Sequence, residues 1–161
     1  MPSIRRYRRE DWARFIALDM ETSRASLAAA PPEQKEAFEQ RWPERLKALY
    51  QWSDDGPTID KSALFVLEAD DGSYAGHLWV MERDDFFSGV PRLFITTIGL
   101  YPDYRGRGWG KLLLERAEEE ARARGLSRIA LNVEASNEIA IKLYEGRGYR
   151  TTRLAMELAL E

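Results

Sequence analysis

Eight consecutive residues, Tyr104-Arg105-Gly106-Arg107-Gly108-Trp109-Gly110-Lys111, carry the densest chemistry in this chain. Three glycines let the backbone turn sharply and come close to a ligand. The segment lies between an apolar strand, read over Arg92 to Leu100, and an amphipathic helix, read over Gly108 to Arg124. The unpaired amides of a helix start, with the positive end of its dipole, form a site for phosphate oxygens. Arg105, Arg107 and Lys111 add positive charge. The plainer reading is a glycine-rich surface turn with scattered charge. Three glycines and three cations gathered at one helix start favour the phosphate site.

The spacing excludes two common nucleotide loops. In a G-x-G-x-x-G dinucleotide fingerprint the third glycine would stand one residue after Gly110. A phosphate-binding P-loop would place glycine at position 105 and Ser or Thr after the lysine, where this chain has Arg105 and Leu112. What remains is Arg-x-x-Gly-x-Gly across Arg105, Gly108 and Gly110.

The elements that must position this loop follow from periodicity. Ser3 to Arg8 reads as a short extended opening. Trp12, Phe15, Ile16 and Met20 recur at helical spacing over Asp11 to Leu27. Glu33 to Gln51 is a second helical stretch, with Pro43 expected to kink or break it. Ser53 to Pro57 reads as a loop by its turn residues. Ala63 to Ala69 and Tyr74 to Met81 form a hairpin around Asp70 to Ser73, and Glu82 to Val90 is a polar loop. Ser127 to Val133 alternates as a strand, Ser136 or Asn137 caps a short helix to Glu145, and Thr151 to Leu160 reads as a final strand. In that last stretch Leu154, Met156, Leu158 and Leu160 share one side. Consecutive hairpins followed by strand-helix-strand predict an α/β chain with a mixed sheet and helices on both faces.

Composition narrows the classes. A formal net charge of -3 gives no basic surplus for nucleic acid, and hydrophobic and charged fractions of 44% and 32% suit a globular protein. With no cysteine and one histidine, disulfides, thiolate metal sites and multi-histidine metal sites are excluded. No apolar run is long enough to cross a bilayer, and the N-terminus lacks a signal-peptide core; a cytoplasmic setting is expected.

A second motif joins the first: Asn137, Ala140, Tyr144 and Gly148-Tyr149. With Arg105-x-x-Gly108-x-Gly110 after a strand that ends at Tyr101-Pro102, it resembles the GCN5-related N-acetyltransferase (GNAT) family. That family has a Gln/Arg-x-x-Gly-x-Gly/Ala loop and an N-x-x-A-x-x-x-Y-x-x-x-G-[FY] segment. The resemblance is specific from Ala63 to Leu160; the first sixty residues agree only in layout. It implies one acetyltransferase domain over residues 1–161, with acceptor-side helices over 11–51 and a CoA-binding core over 63–160. The sheet would be mixed, mostly antiparallel, and splayed where the Leu93 to Leu100 strand meets the Ser127 to Val133 strand.

The resemblance also implies roles. Gly106, Arg107, Gly108, Trp109, Gly110 and Lys111, with Arg105 beside them, would hold the CoA pyrophosphate. Ile98, Gly99 and Leu100 would pair with the pantetheine arm, and the Leu100 amide would bond to the thioester carbonyl. Asn137 would contact the arm, and Tyr144 would protonate the departing thiolate. The implied donor is acetyl-CoA, the acceptor an amine, the assembly a homodimer, with no metal. One departure concerns the base: many relatives carry a carboxylate on the central strand, where this chain has Thr96 and Thr97. Glu82 is then the leading candidate, followed by Asp84, Asp85, Glu134 and His77. Each also has a plain reading: Tyr144 as core, Asn137 as a helix cap, His77 as a strand residue, the acids as solvated loop. An acyl-CoA-binding module without transferase activity is the runner-up, favoured by the missing strand carboxylate.

Overall fold

The computed structural model describes residues 1–59 and 61–160. Its elements are β1 (Ser3–Arg6), α1 (Trp12–Ser26), α2 (Pro32–Leu49), β2 (Trp52–Ser53), β3 (Gly56–Pro57), β4 (Ser62–Glu68) and β5 (Tyr74–Asp84). There follow β6 (Pro91–Leu100), α3 (Trp109–Ala123), β7 (Ile129–Leu131) and α4 (Glu138–Glu145). A five-stranded sheet runs β1-β4-β5-β6-β7, antiparallel except for the parallel β6–β7 pair.

The sheet is buried on both faces, so its central strands are nearly continuous apolar runs rather than alternating ones. Period two still sorts the side chains. Ala63, Phe65 and Leu67 of β4 and Leu78 and Val80 of β5 join Leu113, Leu114 and Ala117 of α3 in one core. Leu64, Val66, Trp79 and Met81 turn the other way and pack with Phe15 and Leu18 of α1 and Leu46 of α2. Trp52 and Tyr50 pack against this second core: Trp52 lies 5.4 Å and Tyr50 4.5 Å from the Trp79 ring.

Five expectations are corrected. Pro43 sits inside α2 without ending it, because Trp42 and Leu46 anchor that helix on either side of the proline. Ser53 to Pro57 is a tight β2–β3 hairpin rather than a loop, with Gly56 at φ 109. Glu82 lies on β5 and not in the following loop, since β5 continues to Asp84. The largest correction is the final strand. Thr151 to Leu160 pairs with no other strand among the described residues, and its alternating Leu154, Met156, Leu158 and Leu160 are 81–95% exposed. The packed core therefore ends near Tyr149. Ser127 to Val133 is likewise shortened to Ile129–Leu131, because β6 runs alongside it for only three residues.

Candidate active site

The site is made by a parting of strands. β6 and β7 pair only at Leu93 with Ile129, Phe94 with Ala130 and Ile95 with Leu131. Beyond Ile95 the two strands separate. At the same point β6 carries a bulge: Ile95 faces Val80 and Thr97 faces Trp79, leaving Thr96 as the extra residue.

That bulge aims the backbone. Along a strand, successive N–H groups point to opposite sides. Leu93 N–H donates toward β7, to Arg128 O at 3.0 Å, whereas Tyr101 N–H donates toward β5, to Ala75 O at 2.9 Å. Without an extra residue these two odd positions would point the same way. The bulge reverses the parity, so the amides of Ile98 and Leu100 face the gap that β7 has left open. Gly76, which the sequence reading missed, permits this geometry. A Cβ there would stand 2.3 Å from Gly99 O and 2.6 Å from Leu100 Cδ2. Gly99 in turn lets α1 approach, since a Cβ would stand 3.2 Å from Thr22 Cγ2.

The glycine loop opens at the same end of β6. Gly106 and Gly108 both adopt left-handed backbone, at φ 74 and 79, and no side chain caps the first turn of α3. Apart from the Lys111 N–H, which donates to Gly108 O at 3.0 Å, the amides at the start of this helix are thus left to a ligand. Gly110 lies where a Cβ would press on Leu143 Cδ2 at 3.2 Å, so α3 and α4 pack closely. Arg107 sits 5.6 Å over both Tyr104 and Trp109, whose rings stack at 5.3 Å. Arg105 does something the sequence reading did not anticipate. Its Nε donates to Leu100 O at 2.9 Å and its Nη2 to Glu21 at 3.1 Å, strapping the loop to the strand end and to α1.

Tyr144 projects from α4 into the core that includes Leu113 and Ile95, 5.8 Å from the Tyr149 ring. Its hydroxyl has no hydrogen bond among the described residues, and burial pushes its pKa upward. Tyr149 is similar: its buried hydroxyl has no partner among the described residues and its pKa is pushed up to about 12 by burial. Asn137 caps α4, its Oδ1 accepting from Ala140 N–H at 3.2 Å.

The structure does not bring Glu82, Asp85 or His77 to this opening as a base. Glu82 faces Leu93 in the register, seven residues before Leu100, and pairs with Lys61 at 2.5 Å. At roughly 3.3 Å per residue that puts it more than 20 Å along the strand. Asp85 is engaged in the β5–β6 turn. It accepts from Ser88 and Phe87 amides and pairs with Arg92 and Arg153, which hold its pKa well below the usual carboxylate range. His77 is fully buried, bonded through Nδ1 to Tyr74 Oη at 2.8 Å, and its pKa is pushed down to about 3 by burial.

A parted strand pair with inward amides, beside a glycine-rich helix start, is the architecture of an acyltransferase enzyme. The chain belongs to the Acetyltransferase (GNAT) family, whose sequence model matches residues 27–149, and it is an N-acetyltransferase. It is 29% identical over 152 residues to the uncharacterized N-acetyltransferase YdgE of Bacillus subtilis (strain 168), covering 94% of this chain and 93% of that one. A Pyrococcus furiosus structure provisionally named an acetyl transferase superposes with a TM-score of 0.82 at 30% identity, covering 99% of this chain and 100% of the other. The fold is also that of the enzyme AAC(6')-Iy, solved with a CoA-S-monomethyl-acetylneamine bisubstrate analog, at a TM-score of 0.66 and 20% identity over 100% of this chain and 99% of that one. No helix among the described residues is long and apolar enough to cross a membrane.

Proposed function

We propose that this chain transfers the acetyl group of acetyl-CoA directly to a primary amine. The observation that carries this reading is the pair of amides, Ile98 and Leu100, turned by the Thr96 bulge into the gap between β6 and β7. The helix-start amides from Gly106 to Lys111 would bind the CoA diphosphate, and the exposed cations Arg107 and Lys111 would add charge. The pantetheine arm would then run along Ile98 to Leu100 as a strand-like partner. Asn137 uses its Oδ1 as a cap, which leaves its Nδ2 to donate to that arm.

In the reaction a neutral amine attacks the thioester carbonyl carbon. The C–N bond forms, and negative charge builds on oxygen, where the Leu100 N–H stabilises it. The C–S bond then breaks, the sulfur takes a proton from Tyr144, and the proton that the nitrogen sheds returns Tyr144 to the phenol. A phenol whose pKa is raised by burial keeps its proton at neutral pH, which is what an acid requires. The structure of AAC(6')-Iy with CoA joined to an aminoglycoside-like amine supports both the donor and the acceptor class.

The test is thiol release from acetyl-CoA with polyamines, amino acids, aminoglycosides and lysine peptides. At least one acceptor should accelerate release well above hydrolysis. Tight acyl-CoA binding with no acceptor-dependent release would favour a binding module instead. The absence of cysteine agrees with a cytoplasmic setting.

A homodimer has its own support. The exposed apolar face of Leu154, Met156, Leu158 and Leu160 continues into exposed Phe86 and Phe87, joined by Arg153 lying 4.7 Å over Phe87. Patches of that kind mark protein interfaces, and β7 ends the sheet. Sedimentation should give twice the monomer mass, and Leu158→Glu should shift it to monomer. A wild-type monomer at micromolar concentration would contradict this.

A further inference from the structure

Four polar or charged side chains are buried among the described residues: Asp11, Asp19, His77 and Glu120. Two of the three acids are neutralised. Asp11 takes two bonds from Arg5, at 2.7 and 2.8 Å, and one from the Arg8 amide. Glu120 is clasped by Arg116 at 2.7 Å and Arg124 at 2.8 Å. Asp19, only 4% exposed, has no cation among the described residues. Its Oδ2 accepts from Trp42 Nε1 at 2.6 Å, and the Thr97 side chain lies beside the same carboxylate. Neutral neighbours do not require a negative charge, so asparagine would serve the fold as well. A buried carboxylate without a cation is costly, and such groups concentrate at functional sites.

Its position gives the cost a use. Thr97 is the first residue after the bulge, on the strand stretch that lines the open gap. Leu18 and Thr22, flanking Asp19 on α1, pack against Gly99 on the same stretch. Asp19 therefore stands behind the reacting segment, on the side of α1 and α2, where relatives that use a strand carboxylate would have it arise from β6 itself.

Resting on the acetyl-transfer reading, we propose that the missing cation is the substrate: Asp19 receives the acceptor's primary ammonium beside Thr97 and takes the proton that frees it for attack. The half-buried Trp42 indole forms one wall of this amine site. One proton passes from R–NH3⁺ to Asp19. The nitrogen lone pair forms the C–N bond, and the C–S electron pair leaves on sulfur, which Tyr144 protonates. The second proton shed by nitrogen restores Tyr144, and Asp19 returns its own to solvent. The products are an amide, a free thiol and one proton. Burial raises the Asp19 pKa, which makes it a better proton acceptor than an ordinary carboxylate.

Asp19→Asn tests this, because it keeps an acceptor for Trp42 and removes the charge. For an amine that wild type acetylates, kcat/KM should fall by about 10²- to 10⁴-fold with CoA affinity unchanged. A value within roughly threefold of wild type would overturn the proposal. Stability supplies a second readout. A raised carboxylate pKa contributes stability that is present below the unfolded pKa and lost as pH rises through the folded one. Asparagine suffers no such loss, so its Tm advantage over wild type should grow as pH rises from the ordinary carboxylate range toward neutrality. Ionisable neighbours do not confuse this: Arg24 pairs with Glu39, Glu21 with Arg105, and His77 with Tyr74. A Tm lowered equally across that range would show a merely structural role and overturn the proposal. If wild type acetylates no amine, the transfer reading fails by itself, and the Tm comparison still decides whether Asp19 is an unpaired buried acid.

Discussion

Tyr144→Phe should lower kcat by about 10²- to 10⁴-fold while leaving CoA affinity and Tm nearly unchanged. Phenylalanine preserves the packing at this position. Tyr144 is 9% exposed and packs in the core with Leu113 and Tyr149, and a phenyl ring fills the same volume. Its hydroxyl holds no hydrogen bond among the described residues, so phenylalanine leaves none of their polar groups unpaired. What disappears is the proton offered to the leaving sulfur. A thiolate is a tolerable leaving group, so the loss falls within the ordinary range for a general acid rather than abolishing the reaction. Steady-state kinetics with calorimetry for CoA separate the two effects. A mutant that turns over like wild type would remove Tyr144 from the chemistry, and the nearby Tyr149 hydroxyl, also buried and unpartnered, would become the acid to test.

Gly108→Val should weaken acetyl-CoA binding by roughly 10- to 100-fold, with a smaller effect on Tm. Gly108 is the residue before α3, at φ 79. A Cβ added there meets nothing within 4 Å, so crowding is not the cause. The cause is the left-handed backbone, which costs an ordinary residue about 1–2 kcal/mol and a β-branched one more. Relaxation of that strain turns the first-turn amides away from the diphosphate. At 1.4 kcal/mol per tenfold, the expected strain matches the expected loss of affinity. Because the loop is exposed, the rest of the fold should tolerate the change. Unaltered affinity would mean that the loop does not hold the donor.

The legible parts of this site were those written in consecutive residues. Gly106 to Lys111 announced itself because a helix start needs particular residue types at fixed spacing, and Asn137 to Tyr149 did so for the same reason. Both helices appeared within a residue or two of their expected bounds. Other features depend on partners far apart in the chain. The Thr96 bulge is invisible until β5 supplies the register. Asp19 reads as an ordinary helix acid, because Trp42 lies 23 residues away and Thr97 on another element altogether. Glu82 looked useful for its nearness to a strand end, but antiparallel pairing placed that end at the wrong side of the sheet. Thr151 to Leu160 has a clear strand period, and period alone does not supply an edge to pair with. Pro43 misled because a helix anchored at Trp42 and Leu46 can absorb one missing donor.

Titration of the pure, folded protein with acetyl-CoA, followed by calorimetry and by backbone amide shifts, reaches the centre of the account. One equivalent should bind, and the largest shifts should fall on the amides from Gly106 to Lys111 and on Ile98 and Leu100. No heat of binding, or shifts confined to residues remote from the β6–β7 gap, would contradict it.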